Sequence, residues 1–365
     1  MNDAPPAVAS GSTVSSAVAT RPSLRRMLLG LVVALSGALL CVWIHIPLPW
    51  LIGPLVLVAL VCMLYRQLPP PPAARQLGQW AIGVALGLYF SPDVMREVLR
   101  LAPWLAAAVL FAVLLGAVGA WLLQRATGVD PTTAFFAMAI GGASEMAAQA
   151  QRHHGRIDRV AAAHSLRIML VVLIVPLALN ASGVRGADPY EPLAGSFDPV
   201  GFAVLCAVTL GAAAAMVRFG SPNSWMLGPL LAAAAITATG HTFSSLPTPV
   251  INGGQLLIGI SLGAHFTREF FRSAPRYLAC VAAITLVYLL CGALFGVALG
   301  WGAGLSWPTA VVATTPGGIG EMALTAKALQ LGVPIVTAFH AIRMAAVVIS
   351  AGLVYVLWQR RRAAR

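Results

Sequence analysis

Long apolar runs alternate with short polar segments along almost the whole chain. A helix needs about 20 apolar residues to cross a bilayer, and many of the runs approach that length. The pattern therefore predicts an all-α polytopic membrane protein with six apolar segments in each half. In the first half these segments are residues 27–44, 49–64, 78–91, 101–123, 131–149 and 160–180.

The composition agrees with this interpretation. Hydrophobic residues make up 59% of the 365 residues and charged residues only 9%, whereas about a quarter of the residues in a soluble domain are charged. The net charge of +12 lies in short arginine clusters between apolar runs and at both ends, which is typical of cytoplasmic loops. No helix-turn-helix pattern, zinc-finger spacing or aromatic–basic strand accompanies this charge, so the sequence predicts no nucleic-acid partner.

Four sequence blocks occur twice, in the same order. "PWLIGPL" from residue 49 matches "NSWMLGPL" from residue 223, and "GQWAIGVALGLYF" from residue 78 matches "GQLLIGISLGAHF" from residue 254. "GGASEMA" and "HSLR" from residues 141 and 164 match "GGIGEMA" and "HAIR" from residues 317 and 340. The nearly constant offset predicts a duplicated structural unit.

The duplication sets the predicted organisation of the chain. The segment between the two copies, residues 183–198, is polar and contains prolines, as a domain boundary should. The apolar run from Met27 is long and lacks a clear small-residue cleavage site, so we interpret it as a retained helix and not a signal peptide. The predicted parts are a disordered cytoplasmic N-terminus (1–26), a first membrane repeat (27–182), a linker (183–198), a second membrane repeat (199–358) and a basic cytoplasmic tail (359–365).

The placement of arginine and lysine bears on the topology, because these residues are enriched in cytoplasmic loops. If all twelve segments cross, the charges divide almost equally between the two sides. If the Gly-Gly-Glu segment of each half enters and leaves on one side, most of them fall inside, including the clusters at 152–159 and 268–276. Re-entry of 78–91 and its mate gives a weaker bias and stays open. Five crossings per half then predict two inverted repeats, with both termini cytoplasmic.

Charged residues within the apolar segments are candidates for function, because a charge inside a membrane costs several kcal/mol. Freed N–H groups at a helix start favour an anion, and an arginine fork can hold a carboxylate. Burial favours the protonated form of a carboxyl group, so a buried glutamate can carry a proton. The predicted substrate or proton site consists of Gly141, Gly142, Glu145, His164 and Arg167 from the first half and Gly317, Gly318, Glu321, His340 and Arg343 from the second.

Structural roles for these groups remain open beside the functional ones. Glu145 could pair with Arg167 and Glu321 with Arg343, which would pin each re-entrant segment to the last helix of its repeat. The two histidines of the site are either a proton relay or satisfied groups that face a neighbouring helix. The two sets of roles are compatible.

Weaker candidates for lining a pathway are Gln79, Gln255 and Ser144. The two glutamines could equally hold helices together by hydrogen bonds. The five cysteines lie in or beside apolar runs without a CxxC spacing, and the seven histidines show no HxxxH or HxxE spacing. The sequence therefore predicts no metal, no cofactor and no catalytic residue.

The repeated "GGASEMA" and "GGIGEMA" motifs, the "WLIGPL" and "WMLGPL" blocks, and the "HSLR" and "HAIR" helices resemble the AbrB family of bacterial membrane proteins over about residues 27–358. The resemblance implies a duplicated membrane domain. Members of the family are labelled as regulators of gene expression or as ammonia monooxygenases, and no catalytic residues carry over. Because a monooxygenase needs a metal site that these histidine spacings do not offer, we expect no enzyme.

The sequence thus predicts a multi-pass protein of the bacterial inner membrane. Its first functional interpretation is a secondary transporter of a small anionic solute, with coupling to protons left open. The alternative is a membrane sensor or regulator that affects gene expression through a partner, and a monooxygenase-type enzyme ranks third. The expected partners are the lipid bilayer and a small-molecule solute, and assembly into a homo-oligomer is left open.

Overall fold

The computed structural model describes residues 23–187, 190–193 and 196–363, with side chains as far as residue 358. These residues form helices and connecting loops, without strands. The predicted disordered segment lies outside the described residues as far as residue 22, and the first helix begins at Leu24. The helices of the first half are α1 (Leu24–Trp43), α2 (Pro49–Leu64), α3 (Ala74–Gly87), α4 (Pro92–Arg100), α5 (Ala102–Thr127), α6 (Pro131–Met138), α7 (Ala143–Arg152) and α8 (Ile157–Ala181).

The second half contains helices of the same kinds in the same order. In each half a short fourth helix is followed by a long one, then by two short helices separated by four residues, and then by a long final helix. The apolar segment predicted at 131–149 is thus divided into α6 and α7. The remaining helices are α9 (Pro199–Arg218), α10 (Ser224–Thr237), α11 (Thr248–Gly263), α12 (Arg268–Ser273), α13 (Pro275–Ala303), α14 (Trp307–Thr314), α15 (Ile319–Ala328) and α16 (Val333–Ala363).

Six of the described helices are long and apolar enough to cross a membrane: α1, α5, α8, α9, α13 and the part of α16 up to Trp358. Their outward faces carry large apolar side chains, such as Leu110 on α5 and Leu294 on α13, which are 60% and 65% exposed. Soluble proteins rarely expose contiguous apolar faces of this kind. Hydrocarbon can cover such faces, so the protein is membrane-embedded.

Helices α1–α3 and α9–α11 form one region, which we call the scaffold. Within it α3 packs against α10, and α2 packs against α11. A Cβ added to Gly83 would lie 2.6 Å from the carbonyl oxygen of Met226, and one added to Gly259 would lie 2.7 Å from that of Leu51. Such distances are too short for a real side chain, so these glycines allow the backbones to touch. Each repeated glycine block therefore contacts the repeated Gly-Pro block of the other half.

Helices α5–α8 and α13–α16 form the second region, which we call the hairpin region. Here α5 and α13 cross, with the rings of Phe111 and Phe295 stacked at 4.1 Å between centroids. Gly128 and Gly304 end α5 and α13 in the left-handed conformation, with φ of +69° at both positions. Glycine adopts this conformation without a steric penalty, and each of these two glycines starts the turn into a broken helix pair.

Both broken helix pairs are closed at their base. The backbone N–H of Arg156, just before α8, donates to the hydroxyl oxygen of Thr133 at the start of α6, at 2.8 Å. In the second half the backbone N–H of Gly332 donates to the hydroxyl oxygen of Thr309, at 3.2 Å. The chain therefore leaves each pair beside the point at which it entered, so α6–α7 and α14–α15 are helical hairpins.

Candidate functional site

One cavity brings the two hairpin breaks together. It lies where the hairpin tips meet α3 and α10 of the scaffold, and it is open on one side. Polar and apolar groups from both halves of the chain line it. Of the ten residues predicted for the site, all but His164 belong to the lining: Gly141, Gly142, Glu145, Arg167, Gly317, Gly318, Glu321, His340 and Arg343.

The conformation of each glutamate side chain explains why a glycine lies three residues before it. Gly142 is the N-cap of α7, and the Glu145 side chain folds back over it, so that a Cβ on Gly142 would collide with Oε2 of the carboxylate. Gly318 and Glu321 have the same relation at the start of α15. A carboxylate near a helix N-terminus is stabilised by the free N–H groups there. Each break therefore needs glycine because the glutamate carboxylate occupies the place of a side chain.

His164 holds Arg167 in position. It is fully buried, its Nε2 lies 2.9 Å from the carbonyl oxygen of Phe136 at the end of α6, and its Nδ1 lies 2.9 Å from Nη2 of Arg167. The arginine can only donate and the carbonyl can only accept, so this network fits a neutral ring with its proton on Nε2. Both ring nitrogens are thus engaged, as in the structural alternative for the histidines, and the proton relay stays a hypothesis.

The second half repeats this support and extends it. His340 contacts the carbonyl oxygen of Val312 at 2.9 Å and Nη2 of Arg343 at 2.8 Å. Arg343 also donates from Nη1 to the carbonyl oxygen of Thr315 and from Nη2 to that of Gly317, each at 2.7 Å. The guanidinium of Arg343 therefore satisfies carbonyls that the break frees from helical hydrogen bonds.

Arg167 differs from Arg343 in this respect. Its side chain is buried, with 3% of its surface exposed, and its Nε and Nη1 atoms have no hydrogen-bond partner among the described residues. In Arg343 only Nε is in this state. Buried donors are nearly always paired, so the unpaired Nη1 distinguishes Arg167 from the other residues of the cavity lining.

Glu145 links the first hairpin to the scaffold. Its Oε1 accepts a hydrogen bond from the backbone N–H of Asn223 at 2.9 Å, and its Oε2 accepts one from the hydroxyl of Ser144 at 3.2 Å. Gln79 donates from Nε2 to Oδ1 of Asn223 at 3.0 Å. The chain of contacts therefore runs from α7 through the start of α10 to α3.

The ion pairs left open by the sequence do not form within the described part of the chain. The salt bridges there join Arg96, Arg100, Arg156 and Arg159 to nearby acidic residues, and none involves Arg167 or Arg343. The physical reason is that each glutamate folds over its own helix N-terminus while each arginine turns to a histidine. The glutamates and arginines share the cavity without direct contact.

The weaker candidates divide between the cavity and the surrounding helices. Gln79 and Ser144 line the cavity, whereas Gln255 is buried outside its lining. Sequence reasoning missed Arg75 and Asn223, which also line it. Neither has an equivalent polar residue in the other half, so a search for matched residues passes over both. One signal was available for Asn223, since asparagine directly before a helix tolerates the left-handed conformation that it adopts here, with φ of 46°.

Comparison with known proteins shows to which family the chain belongs. The family model described as "Transition state regulatory protein AbrB" matches residues 50–359. The chain is 25% identical over 315 residues to the protein of Escherichia coli strain K12 named "Putative regulator AbrB", covering 84% of this chain and 89% of that one. It is also 25% identical over 346 residues to "Uncharacterized protein YhjN" of Bacillus subtilis strain 168, covering 87% of each. The matched residues include both hairpins and most of the scaffold, and the chain is thus a membrane-embedded member of the AbrB family.

Proposed function

We propose that this protein is a secondary transporter of a small anionic solute in the bacterial inner membrane, and that it is not an enzyme. The observation that carries the proposal is the cavity, in which the glutamates of the two broken helix pairs lie near three arginines from α3, α8 and α16. Secondary transporters build their sites from broken helices near the middle of the membrane. Charge is retained at such depth chiefly where it acts on a substrate or an ion.

The proposal includes the topology. The closed bases of the two hairpins support the view that each dips into the lipid and returns to the side from which it came. Five crossings per half, which count the shorter helices α2, α3, α10 and α11 beside the six long ones, would make the halves upside-down relative to each other, with both termini in the cytoplasm. The reciprocal contacts in the scaffold, α3 with α10 and α2 with α11, support a pseudo-two-fold relation between the repeats.

Proton coupling fits the contacts of Glu145. An ionised carboxylate accepts strong hydrogen bonds from N–H groups, and protonation removes its charge. Protonation of Glu145 would weaken its bond to the N–H of Asn223, which joins the hairpin region to the scaffold. Proton binding would in this way loosen the contact that must change when the cavity opens to the other side.

A second function is favoured by the comparisons. The family description contains the word "regulatory", and the Escherichia coli relative is named a regulator. In that case the same cavity would bind an effector, and the protein would pass the signal to a partner without moving solute across the membrane. Direct measurement of transport separates the two functions.

The test measures the uptake of labelled anions by proteoliposomes that contain the reconstituted full-length protein. Labelled pyruvate, succinate, phosphate and sulfate would be offered with and without a pH gradient. We expect at least one of them to accumulate above protein-free liposomes, and the double variant Glu145→Gln/Glu321→Gln to lose the stimulation by the gradient. Glu269→Gln, at an exposed position on α12, is the matched control. Uptake of none of these anions, together with specific binding of one of them, would favour the sensor.

A further inference from the structure

Arg167 and Arg343, the matched arginines of the cavity, make different numbers of hydrogen bonds. Arg343 donates to two carbonyl oxygens of its own break and contacts His340. Arg167 contacts His164 through Nη2 alone, so its Nη1 keeps both protons free of acceptors in the described part of the chain. A guanidinium is charged at all physiological pH values, so Arg167, which lines the cavity, carries a positive donor that is covered and unpaired.

The carbonyls that would engage Arg167 in a symmetric site belong to Ala139 and Gly141, by the repeat offset from Thr315 and Gly317. The structure gives Arg167 no bond to either of them. The Nη1 group is therefore bonded to the backbone in Arg343 of the second break and has no such bond in Arg167 of the first break. Leaving a buried charged donor unpaired costs about 1–3 kcal/mol or more, and a bound anion would remove that cost.

The net charge and the apolar side chains of the cavity lining indicate which class of anion the cavity would bind. The lining contains Arg75, Arg167 and Arg343 together with Glu145 and Glu321. When both glutamates are ionised, the three positive charges exceed the two negative ones, so one negative charge would balance the lining. The rest of the wall is largely apolar, with Ile140, Ile168, Met226, Ile258, Leu262 and Met344. An anion with one charge and an apolar body fits these walls better than phosphate, sulfate or a dicarboxylate.

We propose that the Arg167 guanidinium, after a shift that uncovers its unpaired Nη1, binds the carboxylate of a small monocarboxylate, while Arg343 acts as a structural brace that does not contact the ligand. The proposal rests on the proposed function only in taking the cavity as the solute site. His164 is then a positioning residue, since it orients the guanidinium without touching the ligand. The site is asymmetric and holds one anion per chain.

The experiment measures binding, separately from transport. Purified full-length protein is titrated with butyrate, with the neutral isostere butyramide, with succinate and with phosphate, and the thermal unfolding midpoint is followed. We expect butyrate to raise the midpoint saturably, butyramide to have no effect, and succinate and phosphate to bind at least about tenfold more weakly. Arg167→Gln should weaken butyrate binding about tenfold to a hundredfold, the range for a lost hydrogen bond to a charged group.

Arg343 variants are the matched control. Arg343→Gln should lower the midpoint without ligand, and it should weaken butyrate binding less than Arg167→Gln does, because it removes a nearby positive charge but no contact with the ligand. If Arg343→Gln does not fold, Arg343→Lys is tested in its place, because lysine keeps the charge and one donor group. Arg167→Lys serves the same purpose at the proposed site and should retain charge but bind several-fold more weakly.

The outcomes are distinct from those of the transport assay. Intact butyrate binding in Arg167→Gln overturns the proposal, and so does tighter binding of phosphate or succinate than of butyrate. Absence of butyrate binding to the unaltered protein overturns it as well. Saturable butyrate binding that depends on Arg167, in a protein that transports no anion, supports this inference while it removes the transporter.

Discussion

The first and second hairpin breaks share a motif and differ in what the motif is bonded to. Both hold a glutamate folded over a glycine N-cap, and both hold a histidine that contacts the carbonyl oxygen 28 residues before it. In the second break the arginine is bonded to the local backbone, and most residues of α15 are buried. In the first break the arginine keeps free donors, and only Met146 and Ala150 of α7 are buried.

This difference shows how the two copies of a duplicated unit can take different roles, one structural and one in ligand binding. The groups that build each break are the same in both halves, because any break must satisfy the carbonyls and N–H groups that it frees. The groups that remain available for a ligand are concentrated in the first half. Its glutamate also accepts a bond from Asn223 of the scaffold. The second hairpin thus supplies a rigid wall, and the first supplies the donors and the contact that can change.

The largest expected difference concerns the two arginines. Arg343→Gln removes the guanidinium donor from three acceptors, the carbonyl oxygens of Thr315 and Gly317 and the Nδ1 of His340. The Thr315 oxygen keeps a bond from the backbone N–H of Gly317. At about 1 kcal/mol each, the free energy of unfolding should fall by about 2–3 kcal/mol. Arg167→Gln removes one bond and two unpartnered nitrogens, so its change should stay within about 1 kcal/mol. Equal losses in mixed-micelle unfolding would remove the asymmetry between the breaks.

A smaller difference is expected at the two N-cap glycines. An added methyl group at Gly142 or Gly318 displaces the glutamate carboxylate that lies over it. Gly318→Ala should cost about 1 kcal/mol, the usual value of a lost helix cap, and Gly142→Ala should cost about 2 kcal/mol because the bond between Glu145 and Asn223 is lost too. Gly211→Ala is the control, since it meets nothing within 4 Å. A larger loss at Gly318 than at Gly142 would contradict the link to the scaffold.

The smallest difference is expected where the hairpins begin. Asp130 caps α6 by accepting a hydrogen bond from the N–H of Thr133 at 2.8 Å, whereas Ser306 at the start of α14 makes no such cap bond. Asp130→Ala should therefore lower the free energy of unfolding by about 1 kcal/mol. Ser306→Ala loses only the hydroxyl bond to Thr309, at 2.8 Å, and should cost about 0.5 kcal/mol. The same unfolding assay measures both, and a reversed order would show that the first hairpin does not depend on its cap.

The sequence predicts the parts of the fold that depend on pattern. Apolar runs give the helices, and segment 49–64 coincides with α2. Matched motifs give the residues that meet in the cavity. Three kinds of feature escaped prediction. The short helices α4 and α12 carry no long apolar run, and Arg75 has no mate in the other half. The acceptors of Arg343 are backbone carbonyls, which every residue has, so only the path of the chain through the break reveals which of them face the arginine.

The central claim is that the two hairpins enter the membrane from opposite sides and meet in one cavity. Single cysteines at Ala126 and Gln151 flank the first hairpin, and single cysteines at Ser306 and Ala328 flank the second, each in a chain whose five native cysteines are replaced. Labelling with a membrane-impermeant maleimide should modify the first pair only from the cytoplasmic side and the second pair only from the outer side. If the two members of either pair react from different sides, that hairpin crosses the membrane and the account is wrong.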